Sequence, residues 1–383
     1  MKFKFIFPLA LIVLVACKNS NTGKTPVETI SVNAPEEITE ASFKDFFDSW
    51  KLVPLETTKE SLIGKIDRLS VYNDRFYILD RQTNSVFIFS SDGHFIKSIH
   101  NIGQGPGEYT GIMDFAIDKK KQQIIVHSHR PYRLIYYDLN GTFIKQEKLS
   151  TFYRGISCEA PKLIEINQSR EMRSMAFVKD INDGDVEKFI PFSKKAEIFE
   201  SFGTGFPYIL QSEHTYITFP FEPLIYQYGE NGITPKYRID FGSHNIPETE
   251  FKEGNTAKKI YTNAKKNWLG ISISNVRETR DHLSFSYGNS IIVIHNKKSG
   301  KTASFTYALN TKGSLPFQTY FGHDGNDNTL ISVYEAATFV KQMQWFKEDD
   351  ALWQLVPESN RQLYPVITDN SNPLLMICTL KAG

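Results

Sequence analysis

The first residues able to do chemistry are His127 and His129, which flank Ser128 at the end of the apolar run Gln123-Ile-Ile-Val126. On an extended chain, side chains two positions apart point to one face. Two imidazoles so placed could hold Zn²⁺ or another transition metal, with a third ligand from elsewhere, such as His214, His282 or Asp80. The preferred reading is two surface or pocket histidines without a metal. Arg130 and Tyr132 follow directly, and Arg81 follows a similar run ending at Asp80. Arginine offers paired hydrogen bonds to an anion and tyrosine a stacking face, which suits an anionic or carbohydrate ligand. The other reading of Asp80 and these neighbours is structural contact between repeats.

Other patterns argue against catalysis. Gly103-Gln-Gly-Pro-Gly107 lacks the Lys-Ser/Thr of a phosphate loop and no helix follows it, so it reads as a tight link stiffened by Pro106. His323-Asp-Gly-Asn-Asp-Asn328 lacks the alternating acids and terminal Glu of a calcium loop and reads as a turn. No Gly-x-Ser-x-Gly is present, so no serine triad is indicated. Cys158 and Cys378 are isolated and fit buried free thiols; pairing in an oxidising compartment is the alternative.

The elements that must position these residues are short strands. Aromatic residues make up 13% of the chain, which favours β structure, and helical periodicity is scarce. Runs such as Arg75-Phe-Tyr-Ile-Leu79 and Ser290-Ile-Ile-Val-Ile294 are strand length and bounded by turn formers. Asp92-Gly93 and Asn140-Gly141 are hairpin turns, since both residue types tolerate positive φ.

An internal repeat organises them. Residues 86–97 (VFIFSSDGHFIK) align with residues 134–145 (LIYYDLNGTFIK), about 48 positions later. Residues 225–232 and 293–300 are further copies, with spacing that leaves one degenerate repeat before the third and an insertion before the fourth. A period near 48 with several antiparallel strands fits a propeller blade. Length from Leu62 to Val356 accommodates six, so the expected fold class is an all-β, six-bladed β-propeller with small helical insertions. Those insertions are expected at 255–268 and within 335–355. The stretch Trp50-Lys-Leu-Val-Pro-Leu55 is a candidate to complete the last blade beside the terminal strand 374–380, because an open edge invites aggregation.

The N-terminus carries the clearest address. Lys2 and Lys4 precede an apolar core from Phe5 to Val15, too short for a comfortable membrane span, so residues 1–16 read as a signal peptide. Leu14-Val-Ala-Cys17 looks like a bacterial lipobox, which implies cleavage before Cys17 and lipid on its sulfur. Residues 17–40 are polar, contain Pro26 and Pro35, and read as a tether; 41–383 is the expected propeller domain. Lys+Arg of 44 against Asp+Glu of 43 gives a net charge of +1, which argues against a nucleic-acid partner.

At this point the sequence resembles a family, the six-bladed β-propeller lipoproteins of Bacteroides-type bacteria with NHL-like blades. The residues carrying the likeness are VPLETT (53–58), SLIGKI (61–66), FYILD (76–80), SVFIF (85–89), GQGPGEY (103–109) and NPLLM (372–376). The resemblance implies a lipid-anchored envelope propeller and no established reaction or ligand. The expected function is therefore a binding scaffold for an envelope protein or glycan, with Arg81, Arg130 and Tyr132 as ligand residues. The alternative is a metal-dependent hydrolase or lyase acting on an ester, lactone or glycan through His127 and His129, its cofactor unknown. No acid occurs between Cys17 and Glu28, and the expected location is the outer membrane, facing the periplasm.

Overall fold

A computed structural model describes residues 26–167, 170–199, 209–212, 214–252, 254–288, 290–323 and 328–382. The expected signal peptide and Cys17 lie outside them, as does most of the 323–328 turn. The described residues form seven β-sheets arranged as a β-propeller. Blades one to five are antiparallel and span 68–99, 112–148, 155–191, 209–240 and 274–305. Blade three is the degenerate repeat expected between the second and third sequence copies.

The expectation of six blades is corrected to seven. The additional sheet has three short strands, Glu40–Ser42, Tyr307–Leu309 and Phe317–Gln318. Strands of two or three residues carry no readable period, and one is borrowed from the N-terminal segment, which is why the repeat did not reveal it. The last blade joins Tyr320–Phe321, Thr329–Tyr334 and Leu374–Leu380 to Phe47–Pro54. Leu374 pairs with Pro54 and Met376 with Leu52, so the N-terminal strand closes the last blade as expected.

Blade burial follows position. The second strand of blade one, Arg75–Asp80, is buried beyond its first residue because both faces meet neighbouring blades. The outermost strand of blade three, Val186–Pro191, is exposed or half-buried throughout. Seams between neighbouring blades are filled by successive apolar clusters. Tyr77, Val86, Phe115 and Ile124 join blades one and two; Leu375, Ile331, Leu69 and Phe87 join the last blade to the first. Each such side chain contributes about 1.5–3 kcal/mol by leaving water.

Part of the stretch expected as a tether is folded into the sheets. Glu28–Ser31 runs parallel to Gly232–Asp240 as a fifth strand of blade four, and Ile30, Val32 and Ala34 are buried. Their period-two spacing is a strand signal, masked in the sequence by the surrounding polar residues and prolines. Residues 28–31 and 40–42, expected as tether or domain edge, thus form strands of the propeller sheets. The expected helical insertions are present as Ala257–Lys266, capped by Thr256, and as Ala336–Lys347 and Asp350–Leu355. Cys158 and Cys378 are buried free thiols and do not pair.

The ring has two distinguishable ends. One carries the loops joining second to third strands and the links between blades. The other carries the hairpins joining first to second and third to fourth strands. Gly93 (φ +92°) and Gly141 (φ +77°) sit in hairpins of the second kind. Gly103-Gln-Gly-Pro-Gly107 is the expected link between blades one and two, its Glu108 carboxylate accepting from Gly105 N at 2.8 Å. No described helix is long and apolar enough to cross a membrane.

Candidate functional site

The loop end of blades two and three gathers most of the chemistry. Strand Gln123–Ser128 delivers His127 to the seam facing blade three, and the loop 129–132 continues from it. That loop is pinned from the preceding link: Thr110 Oγ1 donates to the carbonyls of His129 (2.9 Å) and Arg130, and His129 N donates to Gly111 O at 2.8 Å. Arg130 adopts φ +52°, a left-handed conformation unusual for a residue with a side chain. Its side chain is exposed.

Half-buried His129, Tyr132 and Phe152 pack as a triad, each pair of ring centroids 5.7 Å apart. Phe152 comes from the link into blade three. Below the triad, His127 is fully buried, 6.1 Å from the Phe152 ring and 6.4 Å from Tyr153. Tyr153 in turn packs on Phe177 at 5.7 Å. A continuous aromatic path therefore runs from the exposed loop into the seam.

The seam beneath holds polar groups without partners. Neither ring nitrogen of His127 has a hydrogen bond, nor has His129 Nδ1; Glu165 has Tyr153 as its side-chain neighbour and Tyr136 has Glu147. Buried polar groups are normally satisfied, so this concentration calls for an explanation. Burial pushes the His127 imidazole down to about 4, with Asp114 opposing and His129 adding to the shift. Burial pushes the Glu165 carboxyl up to about 7; Lys179 and Tyr153 oppose this and Glu147 adds to it. The Lys179 ammonium is engaged 3.4 Å away by Glu147, which limits what it offers Glu165. Both seam groups are thus driven toward their neutral forms.

At the same end, near the start of the innermost strands, a buried ion pair ties three blades. Arg68 Nη1 donates to both oxygens of Asp114 (2.8 and 2.7 Å) and to Ile156 O (2.9 Å). Asp114 also accepts from Phe115 N and Ile156 N, each at 2.9 Å. His127 is the cross-strand neighbour of Asp114.

The sequence candidates separate into two groups. His127, His129 and Tyr132 come together, with Arg130 beside them. Arg81 occupies the corresponding loop of blade one, and its guanidinium sits 3.8 Å from Asp67. Asp80 is structural: its carboxylate accepts from Gly64 N, Gln82 N and Thr83 N at 2.8, 2.8 and 3.2 Å. His214 and His282 sit by first-to-second strand hairpins, at the other end of the ring from His129. No three His, Cys, Asp or Glu side chains among the described residues form a metal-holding group. Sequence reasoning missed Phe152, Tyr153, Asp114, Arg68 and Glu165. The available signal was a lone acid inside an apolar strand run, Asp114 in IMDFAI and Glu165 in LIEI.

The sheets and their closure define a β-propeller, and comparison with solved structures agrees. An exported-protein assignment accompanies one similar crystal structure, from Bacteroides fragilis, with a TM-score of 0.71 at 17% identity, covering 93% of this chain and 100% of that one. At that identity the likeness speaks for the fold. A member of the DUF4221 family from Bacteroides vulgatus gives a TM-score of 0.46 at 13% identity, covering 88% of this chain and 97% of that one. The chain belongs to the family described as "Domain of unknown function (DUF4934)", whose model matches residues 27–379. No curated protein matches the sequence.

Proposed function

We propose that the protein is an exported, lipid-anchored propeller that binds an envelope ligand at the loop end of blades two and three. The observation supporting this reading is the triad of half-buried rings beside the exposed Arg130 guanidinium. Ring faces pack against the apolar faces of sugars, and a guanidinium grips carboxylate or phosphate with paired donors. An acidic oligosaccharide matches both features. Arg81 extends the basic character onto blade one. The unpartnered ring nitrogens of His127 lie below and would meet solvent or ligand atoms that enter the seam.

The anchor in this reading is lipid on Cys17 after loss of residues 1–16, holding the protein at the outer membrane toward the periplasm. No observation favours the metal-dependent hydrolase, since His127 and His129 gain no third ligand among the described residues. Three experiments test the proposal. A glycan microarray probed with the purified protein should give signals on acidic oligosaccharides; an array with no signal argues against it. Radiolabelled palmitate should enter the wild type and not Cys17→Ala; equal labelling removes the anchor. Protease shaving of intact cells should leave the protein uncut.

A further inference from the structure

Resting on the lipid anchor just proposed, we infer that the N-terminal segment orients the propeller, with its hairpin end against the bilayer and its ligand end turned away. The first observation is that this segment is strapped to the rim. Glu28–Ser31 pairs with Tyr237–Asp240 of blade four, and Val32 N donates to Asp240 O at 2.8 Å. Ser304 Oγ of blade five donates to Asn33 O. Thr39 N donates to Thr306 Oγ1 at 3.1 Å, and Glu40–Ser42 pairs with Tyr307–Leu309. The strap then becomes the closing strand of the last blade. An anchor upstream therefore pulls on the outer edge of blade four and nowhere else.

The second observation is direction. The strand is parallel to Gly232–Asp240, so the chain before Glu28 heads back toward the hairpin 229–232. Pro26 lines a groove of about 270 Å³ there with Gly229, Asn231 and Gly232. The hairpins joining third to fourth strands lie at the opposite end of the ring from His129, Arg130 and Tyr132. Ten residues separate Cys17 from Glu28, which span at most about 40 Å fully extended.

The third observation is what this end exposes. Ile96, Phe143, Ile144 and Val186 follow the corresponding hairpins of blades one, two and three, and are 41, 38, 44 and 48% exposed. Val27, at the chain's exit, is 36% exposed. The loop end also exposes apolar side chains, Leu62 and Ile102 in the links before blades one and two and Trp345, Leu355 and Val366 in the insertion of the last blade, so the apolar rims support the orientation only together with the direction of the strap. Apolar side chains spread along three rims suit the interfacial zone of a bilayer that the lipid already holds close.

The test uses the lipidated protein in vesicles of phosphatidylethanolamine and phosphatidylglycerol, with an environment-sensitive fluorophore on a single introduced cysteine. Asn231→Cys reports the hairpin end and Gln82→Cys the loop end; Cys158 and Cys378 are buried and stay unlabelled. Spin-labelled lipid headgroups should quench the Asn231 position at least threefold more than the Gln82 position. Equal or reversed quenching, in protein whose flotation depends on Cys17, overturns the orientation alone. Flotation unaffected by Cys17→Ser overturns the anchor and the orientation with it. Substituting Phe143 and Ile144 with Ser should reduce the quenching at Asn231; unchanged quenching would remove the apolar contact from the account.

Discussion

Glu165 and His127 share one seam and carry opposite linkage to pH, which makes their separate substitution informative. The Glu165 carboxyl is raised from 4.5 to about 7 in the folded protein. Between those values the folded state holds a proton that the unfolded state has lost, so this group's contribution to stability falls as pH rises. The His127 imidazole is lowered from 6.5 to about 4. Between those values the unfolded state holds the extra proton, so this contribution rises with pH. Each shift of about two and a half pK units corresponds to about 3 kcal/mol at full extent, and in the wild type the two largely cancel between pH 4.5 and 6.5. Urea denaturation of wild type, Glu165→Gln and His127→Leu from pH 4 to 7.5 separates them. Relative to wild type, Glu165→Gln should gain about 3 kcal/mol from pH 4.5 to 7, and His127→Leu should lose about 3 kcal/mol from pH 4 to 6.5. Other titrating groups drop out of these differences. A flat difference profile for either variant would refute the assignment of a buried neutral group at that position.

Further outcomes follow from the packing. Arg68→Ala strands the Asp114 carboxylate at the blade junction and should cost about 3–5 kcal/mol in urea denaturation, whereas Arg68→Met/Asp114→Leu should cost less than the single change. Ile30→Ala should cost about 2–5 kcal/mol, because Ile30 is core rather than tether; a loss below about 0.5 kcal/mol would return it to the tether. Gly93→Ala should lower the melting temperature measured by calorimetry, since a Cβ there would lie 2.1 Å from the Pro54 carbonyl oxygen at a φ of +92°. That strain is worth about 1–3 kcal/mol.

Much of the scaffold was legible because each blade repeats the same requirement. A strand buried on both faces needs a continuous apolar run, as in Phe76-Tyr-Ile-Leu79, and each turn after the third strand needs a residue tolerant of positive φ, as at Gly93 and Gly141. Those demands recur about 48 positions apart in blades one and two and survive in one sequence. The short strands Glu40–Ser42 and Phe317–Gln318 carry no such period, so the seventh sheet was hidden. The site was half legible. His127, His129 and Tyr132 are near neighbours in sequence, and a single strand end brings them together. Phe152 and Glu165 join them only because blade three packs on blade two, and no local pattern encodes that contact. Asp80 misled because an acid at a strand end serves a loop's backbone N–H groups as readily as a ligand.

The claim at the centre of the account is that the aromatic and basic cluster at the loop end of blades two and three is where the ligand sits. It is tested most directly by isothermal titration of the strongest acidic oligosaccharide from the array against wild type and Tyr132→Ala/Phe152→Ala. The account predicts at least a tenfold loss of affinity in a variant that remains folded by circular dichroism. An unchanged isotherm would contradict it.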